Sequence, residues 1–367
     1  MSVSTASTTP SADAPQERAP SRGVGRLLGK IVRSYAFNRI WRALLTIYVV
    51  VTLTFFLVRE MPGSPVAVYI QNLMGQYGMS YPDALARAEA LFQFNPNQPL
   101  IQQYWTYLGN LAHGNMGNSF LSPGTSVTSI IASYLPWTLF SVGLGLLTSF
   151  VLGVALGMFM AYKRETVLDH GLSILGSFFH SVPNYILGML IVVLLGIQLG
   201  LFSVADMRGS YSAGIAPGFN LTFLGDALYH AALPIVTYVL TTIGGWMLIM
   251  KSSTIATLEE DYVTVARARG LRDGRIVTAY VGRNAILPLF AQLAISIGFV
   301  VGGSLLVEWL FQYQGIGLAL YDAIYMRDYT VMQGIFLVLT VSIVMANLIA
   351  DLLYGRLDPR VRINRQM

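Results

Sequence analysis

Apolar residues gather into six runs that hold no Asp, Glu, Lys or Arg, and nearly all the charge lies between them. The first run, "ALLTIYVVVTLTFFLV" at 43–58, is slightly short, but Arg42 and Arg59 flank it with side chains long enough to snorkel to an interface. The second ends at Tyr162, the third lies within 170–205, and the others cover 227–250, 284–307 and 329–350. A helix needs roughly 20 apolar residues to cross the hydrocarbon core. One charge at the centre of such a helix costs ~2.5–3.5 kcal/mol on the insertion scale. The pattern therefore predicts an all-α integral membrane protein of six transmembrane helices.

The segments between the runs differ in kind. Residues 1–35 are rich in Ser, Thr, Ala and Pro, cannot bury a core, and read as a disordered tail. The first transmembrane helix is expected over 36–59; no small-residue cleavage site follows it, so it should remain in place as a helix. Residues 60–134 contain "YPDALARAEALFQF", "QPLIQQYWTYLGNLAHGNMGNSF" and "LSPGTSVTSIIASYLP". The first two have helical apolar spacing, with Pro82 and Pro99 suited to first turns, and predict a small helical cap. The remaining five spans fall in 135–355, with a charged excursion at 251–285, and residues 356–367 form a second tail. The loop at 199–226 reads as irregular, and 311–328 as a short interfacial helix. Gly153 with Gly157, and Gly298 with Gly302, have the four-residue spacing that lets membrane helices approach closely. Pro183, Pro234 and Pro288 sit in or at the ends of runs, where kinks or helix starts are tolerated.

Composition agrees with this reading and charge orients it. The chain is 54% hydrophobic and 11% charged, too poor in polar surface for a water-soluble domain, and it has no cysteine for disulfides, thiolate metal sites or cysteine nucleophiles. Of the 23 Lys and Arg residues, nineteen lie in the first tail through Arg42, in 163–169, in 251–283 and after 355. The positive-inside rule then places both termini and both basic loops in the cytoplasm, so the net charge of +5 reflects orientation and not nucleic-acid binding.

"EEDYVTVARARGL" at 259–271 interrupts two uncharged runs. As a helix, "STIATLEEDYVTVARARG" would open at the end of the fourth run and stop at Gly270, with Leu258, Tyr262, Val265 and Ala266 on one face. "GRIVTAYVGRNAILP" would follow as a second amphipathic piece, with Asp273 as N-cap and Pro288 starting the fifth span. An amphipathic helix could lie on headgroups; the small residues Ala266, Ala268 and Gly270 suit a protein groove better. Enzyme signatures are lacking: there is no HExxH or GxSxG, and His113, His170, His180 and His230 have no ligand-like spacing. "GVGRLLGKI" fails as a phosphate loop because Ile31 stands where Ser or Thr must hold magnesium. The runs also lack the buried charges that ion-coupled carriers use. Energy must come from elsewhere.

The excursion resembles the EAA loop of ABC-importer permeases, in the form found in the B-type subunit of the dipeptide, oligopeptide and nickel branch: "EDYVTVARARGL" followed by "RNAILP". "MPGSP", "GNMGNSF", "SVPNYILG", "ALPI", "GIGLAL", "YMRDY" and "DLLYGRLDPRVR" fall in the matching order from about residue 35 onward. Lys251 replaces a usual arginine, and "YQGIG" replaces a proline-glycine form. The resemblance implies a type I importer fold, N-in and C-in, working with a second homologous permease, two ATPase subunits and an extracytoplasmic solute-binding protein in a bacterial or archaeal inner membrane. ATP and magnesium would be bound by the ATPases, with no cofactor or metal in this chain. Docking to an ATPase would fall to Glu260, Asp261, Tyr262, Ala266, Ala268, Gly270 and Leu271. An acidic first turn also suits the helix dipole without any partner. Polar and aromatic groups of spans three to five, His180, Asn184, Tyr185 and Gln292, are the candidate path. Peptide is the expected cargo, with oligosaccharide or a nickel complex as alternatives, and an autonomous channel or membrane-embedded enzyme as rivals of another class.

Overall fold

The computed structural model describes residues 35–60, 65–92, 99–122 and 124–357. Most of the expected first tail, the "MPGS" of the "MPGSP" landmark and the end of the second tail lie outside them. Backbone contacts divide the chain into two units, Met1–Arg42 and Ala43–Met367. The packed helices belong to the second.

Helix α1 spans Tyr35–Arg59, α2 Pro65–Tyr77, α3 Tyr81–Phe92 and α4 Leu100–Ala112. The spacing anticipated α3 and α4 but not α2, which pairs with α3 through Ile70, Leu73, Ala84 and Ala88. α4 packs on α1: Tyr104 contacts Phe55 edge-on, and its hydroxyl lies 2.7 Å from that of Thr52. Arg59 bonds Gln103 at 3.0 Å while its guanidinium covers the Phe55 ring.

Helix α5, Val127–Tyr162, is capped by Ser126, whose hydroxyl accepts from the Ser129 amide. It therefore begins inside the segment expected to be part of the cap, and Val127 to Pro136 are its first turns. Helix α6 runs Val167–Ser181 and α7 Asn184–Gln198, the latter winding as a π-helix from Ile191. The third apolar run is thus two helices bent by 104°. Pro183 stands at the break: it has no N–H to continue α6, and it starts α7 instead. Helix α8, Leu221–Leu258, has 38 residues and is capped by Asn220. At roughly 57 Å it outreaches a ~30 Å hydrocarbon core. It passes through Pro234 unbroken and absorbs residues 253–258, which the sequence suggested would open the following helix.

Helix α9 is Asp261–Ala268; α10 is Asp273–Ala285, π-helical over Ile276–Gly282; α11 is Leu287–Val300, bent 48° from α10 with Pro288 in its first turn. Helices α12, Leu305–Phe311, α13, Ile316–Met326, and α14, Tyr329–Leu357, complete the order. Among the described residues, four helices are long and apolar enough to cross a membrane, and up to six if each bent pair counts once. The chain is a multi-pass membrane protein whose described residues are mostly helical.

Glycine sets the closest contacts. A Cβ on Gly153 would lie 2.4 Å from Cβ of Trp246, and one on Gly157 would lie 2.5 Å from the Met247 carbonyl oxygen, so α5 and α8 touch nearly backbone to backbone. Gly244 meets Gly176 in the same way where α8 crosses α6. Gly298 packs on Ala346 of α14, whereas Gly302 lies beyond the end of α11 and belongs to a turn.

Candidate functional site

The 259–271 stretch folds on a floor of its own. α8 stops at Leu258, the chain turns at Glu259 and Glu260, and α9 begins with Asp261, an acid in the first turn that balances Arg267 in the last. Gly270, at φ +72°, closes the helix: its amide bonds the Arg267 carbonyl, and the Leu271 amide reaches the Ala266 carbonyl at 3.3 Å. Val263 and Ala266 point down onto Ile276 and Val281 of α10, with Leu258, Leu271 and Tyr280 around them. This corrects the expected apolar face. Val263 joins Ala266 inside, while Tyr262 and Val265 are 37% and 55% exposed. Asn284 donates to the Tyr262 hydroxyl at 2.8 Å and to the Tyr280 carbonyl at 3.1 Å. Ser253 of α8 bonds the Ala285 carbonyl at 2.7 Å. The two motifs "EDYVTVARARGL" and "RNAILP" thus form one piece that leads directly into α11. Among the residues expected to dock, Glu260, Asp261, Tyr262, Ala268 and Gly270 are exposed; Ala266 is buried and Leu271 half-buried within the loop.

Lys251 ties this region to α6, with Nζ 2.5 Å from an Asp169 oxygen and 3.1 Å from the Ser173 hydroxyl. The Asp169 side chain is 5% exposed, which makes the pair more than a surface contact.

A cavity of about 290 Å³ opens between α5, α6, α8 and α11, lined in part by His180, Tyr238, Thr242, Gln292, Ser296 and Phe299. Two of the four expected path residues, His180 and Gln292, meet here. The other two do not: Asn184 donates to the Ser304 hydroxyl at 2.9 Å, joining α7 to the start of α12, and Tyr185 is absent from the lining. The His180 ring fits because Gly245 has no Cβ, which would fall 3.1 Å from it. Tyr238, Thr242 and Ser296 were missed. Their signal was in the sequence: Tyr238, Thr242 and Gly245, like Gln292, Ser296 and Phe299, follow the i, i+4, i+7 spacing of one helix face.

Ser212, Asp226 and His230 form a compact polar cluster. The Ser212 hydroxyl donates to Asp226 at 2.7 Å and lies 3.1 Å from His230 Nε2. Asp226 approaches that same nitrogen at 3.7 Å, and Nδ1 has no partner. A nucleophilic triad needs the carboxylate on one ring nitrogen and the hydroxyl on the other. This cluster instead anchors the irregular loop to α8.

Glu308, 1% exposed, caps α13. Its carboxylate accepts from the Thr138 hydroxyl at 2.9 Å and from the Gly317 and Leu318 amides at 2.7 and 3.3 Å, while Thr138 accepts from the Ile316 amide. A Cβ on Gly315 would fall 2.3 Å from this carboxyl group, so the glycines of "YQGIGLAL" make the fit. Burial outweighs these bonds and pushes the Glu308 carboxyl up to about 7. Among the described residues, no group of three His, Asp or Glu side chains is placed to hold a metal ion.

Residues 153–363 match the family model for binding-protein-dependent transport system inner membrane components. The chain is 32% identical to the di/tripeptide transport system permease protein of Pseudomonas aeruginosa strain UCBPP-PA14, over 90% of this chain and 99% of that one. It is 29% identical to the dipeptide transport system permease protein of Escherichia coli K12, over 89% and 98%. It is 26% identical to the oligopeptide transport system permease protein of Bacillus subtilis 168, over 89% and 99%.

Proposed function

The chain belongs to the family of binding-protein-dependent transport system inner membrane components, and from that premise we propose that it is a permease subunit of an ATP-driven peptide importer in a bacterial inner membrane. It forms half of a translocation path with a second, similar permease. In this reading the chain makes six spans, counting each bent pair once; the basic loops support a cytoplasmic position for both termini and the α9 loop, and α2, α3 and α4 lie outside as a cap that faces a solute-binding protein. Two ATPase subunits supply the energy, and ATP and magnesium bind there. Peptide is favoured over oligosaccharide or a nickel complex because the Pseudomonas, Escherichia and Bacillus relatives are named as peptide permeases.

The observation that carries the reading is the build of the α9 loop. A helix of eight residues exposes Asp261, Tyr262, Val265 and Ala268 on one side and rests on Val263 and Ala266 on the other. Force applied to its outer face passes through the Tyr262–Asn284 bond and the buried contacts into α10 and α11. Docking falls to Glu260, Asp261, Tyr262, Ala268 and Gly270, whereas Ala266 and Leu271 hold the lever in shape. Switching between inward- and outward-facing states then follows the separation and closure of the ATPases.

The chain has no native cysteine, so Ala268→Cys and Thr264→Cys give unique attachment points for crosslinking in membranes. Both should capture an ATPase subunit, with yields that change on ATP addition. Cargo accumulation without any such capture would overturn the coupling assignment.

A further inference from the structure

The cavity between α5, α6, α8 and α11 brings several polar groups to one open space. Many hydroxyls in the helices bond a carbonyl on their own helix, as Thr242 does to Tyr238 at 2.7 Å and Thr340 to Phe336 at 2.7 Å, and others, such as Ser141 and Thr237, are buried singly without a partner. Among the described residues, the Tyr238 hydroxyl, the Gln292 amide and the Ser296 hydroxyl have no hydrogen bond within the chain, and all three line the cavity. His180 faces the same space, with Nδ1 only loosely placed 3.3 Å from the Thr241 carbonyl. None of the lining residues is Asp, Glu, Lys or Arg; Leu146, Ile249 and Phe299 supply the apolar remainder.

Polar groups at membrane depth without a partner are costly, and an acyl chain cannot satisfy them. Water or cargo can. Gln292 offers a donor and an acceptor in one planar group, the counterpart of a peptide bond, and the two hydroxyls can play either part. Every peptide unit presents that same pair whatever its side chain. A volume of about 290 Å³ stands near the small end of ligand sites, which run from about 300 to 1,000 Å³. It holds a short stretch of extended chain.

We propose that this cavity is a contact site for the backbone amides of the passing peptide, with Gln292 as its specificity-determining residue. This rests on the peptide-import reading and adds to it a rule: hydrogen bonds to the backbone hold the cargo, and a wall without Asp, Glu, Lys or Arg leaves its side-chain charge unselected. Tyr238 and Ser296 join Gln292 in the contact, and Phe299 and Ile249 accept apolar side chains.

The test uses the complete transporter in proteoliposomes and two labelled tripeptides of equal length, one with a central Lys and one with a central Glu. Wild type should import both at similar rates. Gln292→Lys should favour the anionic peptide and Gln292→Glu the cationic one, so that the two variants differ about tenfold in uptake ratio. A general folding defect lowers both rates together and leaves the ratio alone. A ratio fixed at the wild-type value in both variants overturns the proposal. If neither variant imports, Gln292→Cys decides: saturating tripeptide should slow its alkylation at least threefold, and unprotected labelling overturns the site. A wild-type assembly that imports oligosaccharide and no peptide defeats the proposed function itself, in the first measurement and before any variant is made.

Discussion

The Ser119 hydroxyl lies 2.5 Å from a carboxylate oxygen of Asp328, across 209 residues of sequence. The same carboxylate accepts from the Leu121 and Val331 amides, and so fastens the loop before α5 to the first turn of α14. Gly117 lies beside this junction, where a Cβ would fall 2.8 Å from the Thr330 methyl. "GNMGNSF" and "YMRDY" are therefore two halves of one joint. Asp328→Ala would strand a hydroxyl and two amides, and should cost about 3 kcal/mol. Ser119→Ala should cost about 1 kcal/mol. Thermal unfolding in detergent, followed by tryptophan fluorescence, gives the order.

The Glu308 carboxyl, displaced from 4.5 to about 7, makes stability depend on pH. A raised carboxyl pKa means the folded state holds the proton more tightly. The contribution is therefore fully present below about 4.5 and is lost as pH rises through about 7. Glu308→Gln mimics the protonated form. Its melting temperature should match wild type near pH 4.5 and exceed it increasingly towards pH 8; a constant difference across that window would refute the assignment.

Helix contacts through glycine should discriminate sharply among sites. Gly244→Ala places a Cβ 2.0 Å from the Gly176 carbonyl oxygen, backbone against backbone, so α6 and α8 must separate. The loss should be about 3 kcal/mol, at the upper end of overpacking costs. Gly75→Ala, in the last turn of α2 with nothing within 4 Å, should instead stabilise by about 0.4–1 kcal/mol. Unfolding midpoints of the two proteins, compared in the same detergent, test the contrast.

Within the α9 loop, position decides what a charge does. Ala266→Glu buries a carboxylate among Val263, Ile276 and Val281. It should unfold the loop and lower protein yield whether or not a partner docks there. Ala268→Glu meets open surface. It should leave stability within about 0.5 kcal/mol of wild type while reducing ATP-driven uptake at least tenfold. Tyr262→Phe should change stability by less than about 1 kcal/mol and lower the amount of peptide imported per ATP hydrolysed, measured in the same vesicles.

The class of the protein, its apolar helices, the exposed α9 segment and its stop at Gly270 were legible in the order of residues, because each depends on neighbours a few residues apart. Periodicity, the sparsity of charge and the cost of burying it are local properties. Two of the cavity residues, His180 and Gln292, could be chosen as polar side chains inside apolar runs. Tertiary structure alone decided which side chains meet. It put Ala266 inside the loop and Val265 outside, bent the third run at Pro183, sent Asn184 to Ser304 and away from the cavity, and joined Ser119 to Asp328. A run of apolar residues fixes that a helix buries itself, but not which face meets which neighbour, since lipid and protein interior are almost equally apolar. That choice belongs to close glycine contacts and to buried hydrogen bonds between residues far apart in the chain, and these exist only once the helices are packed.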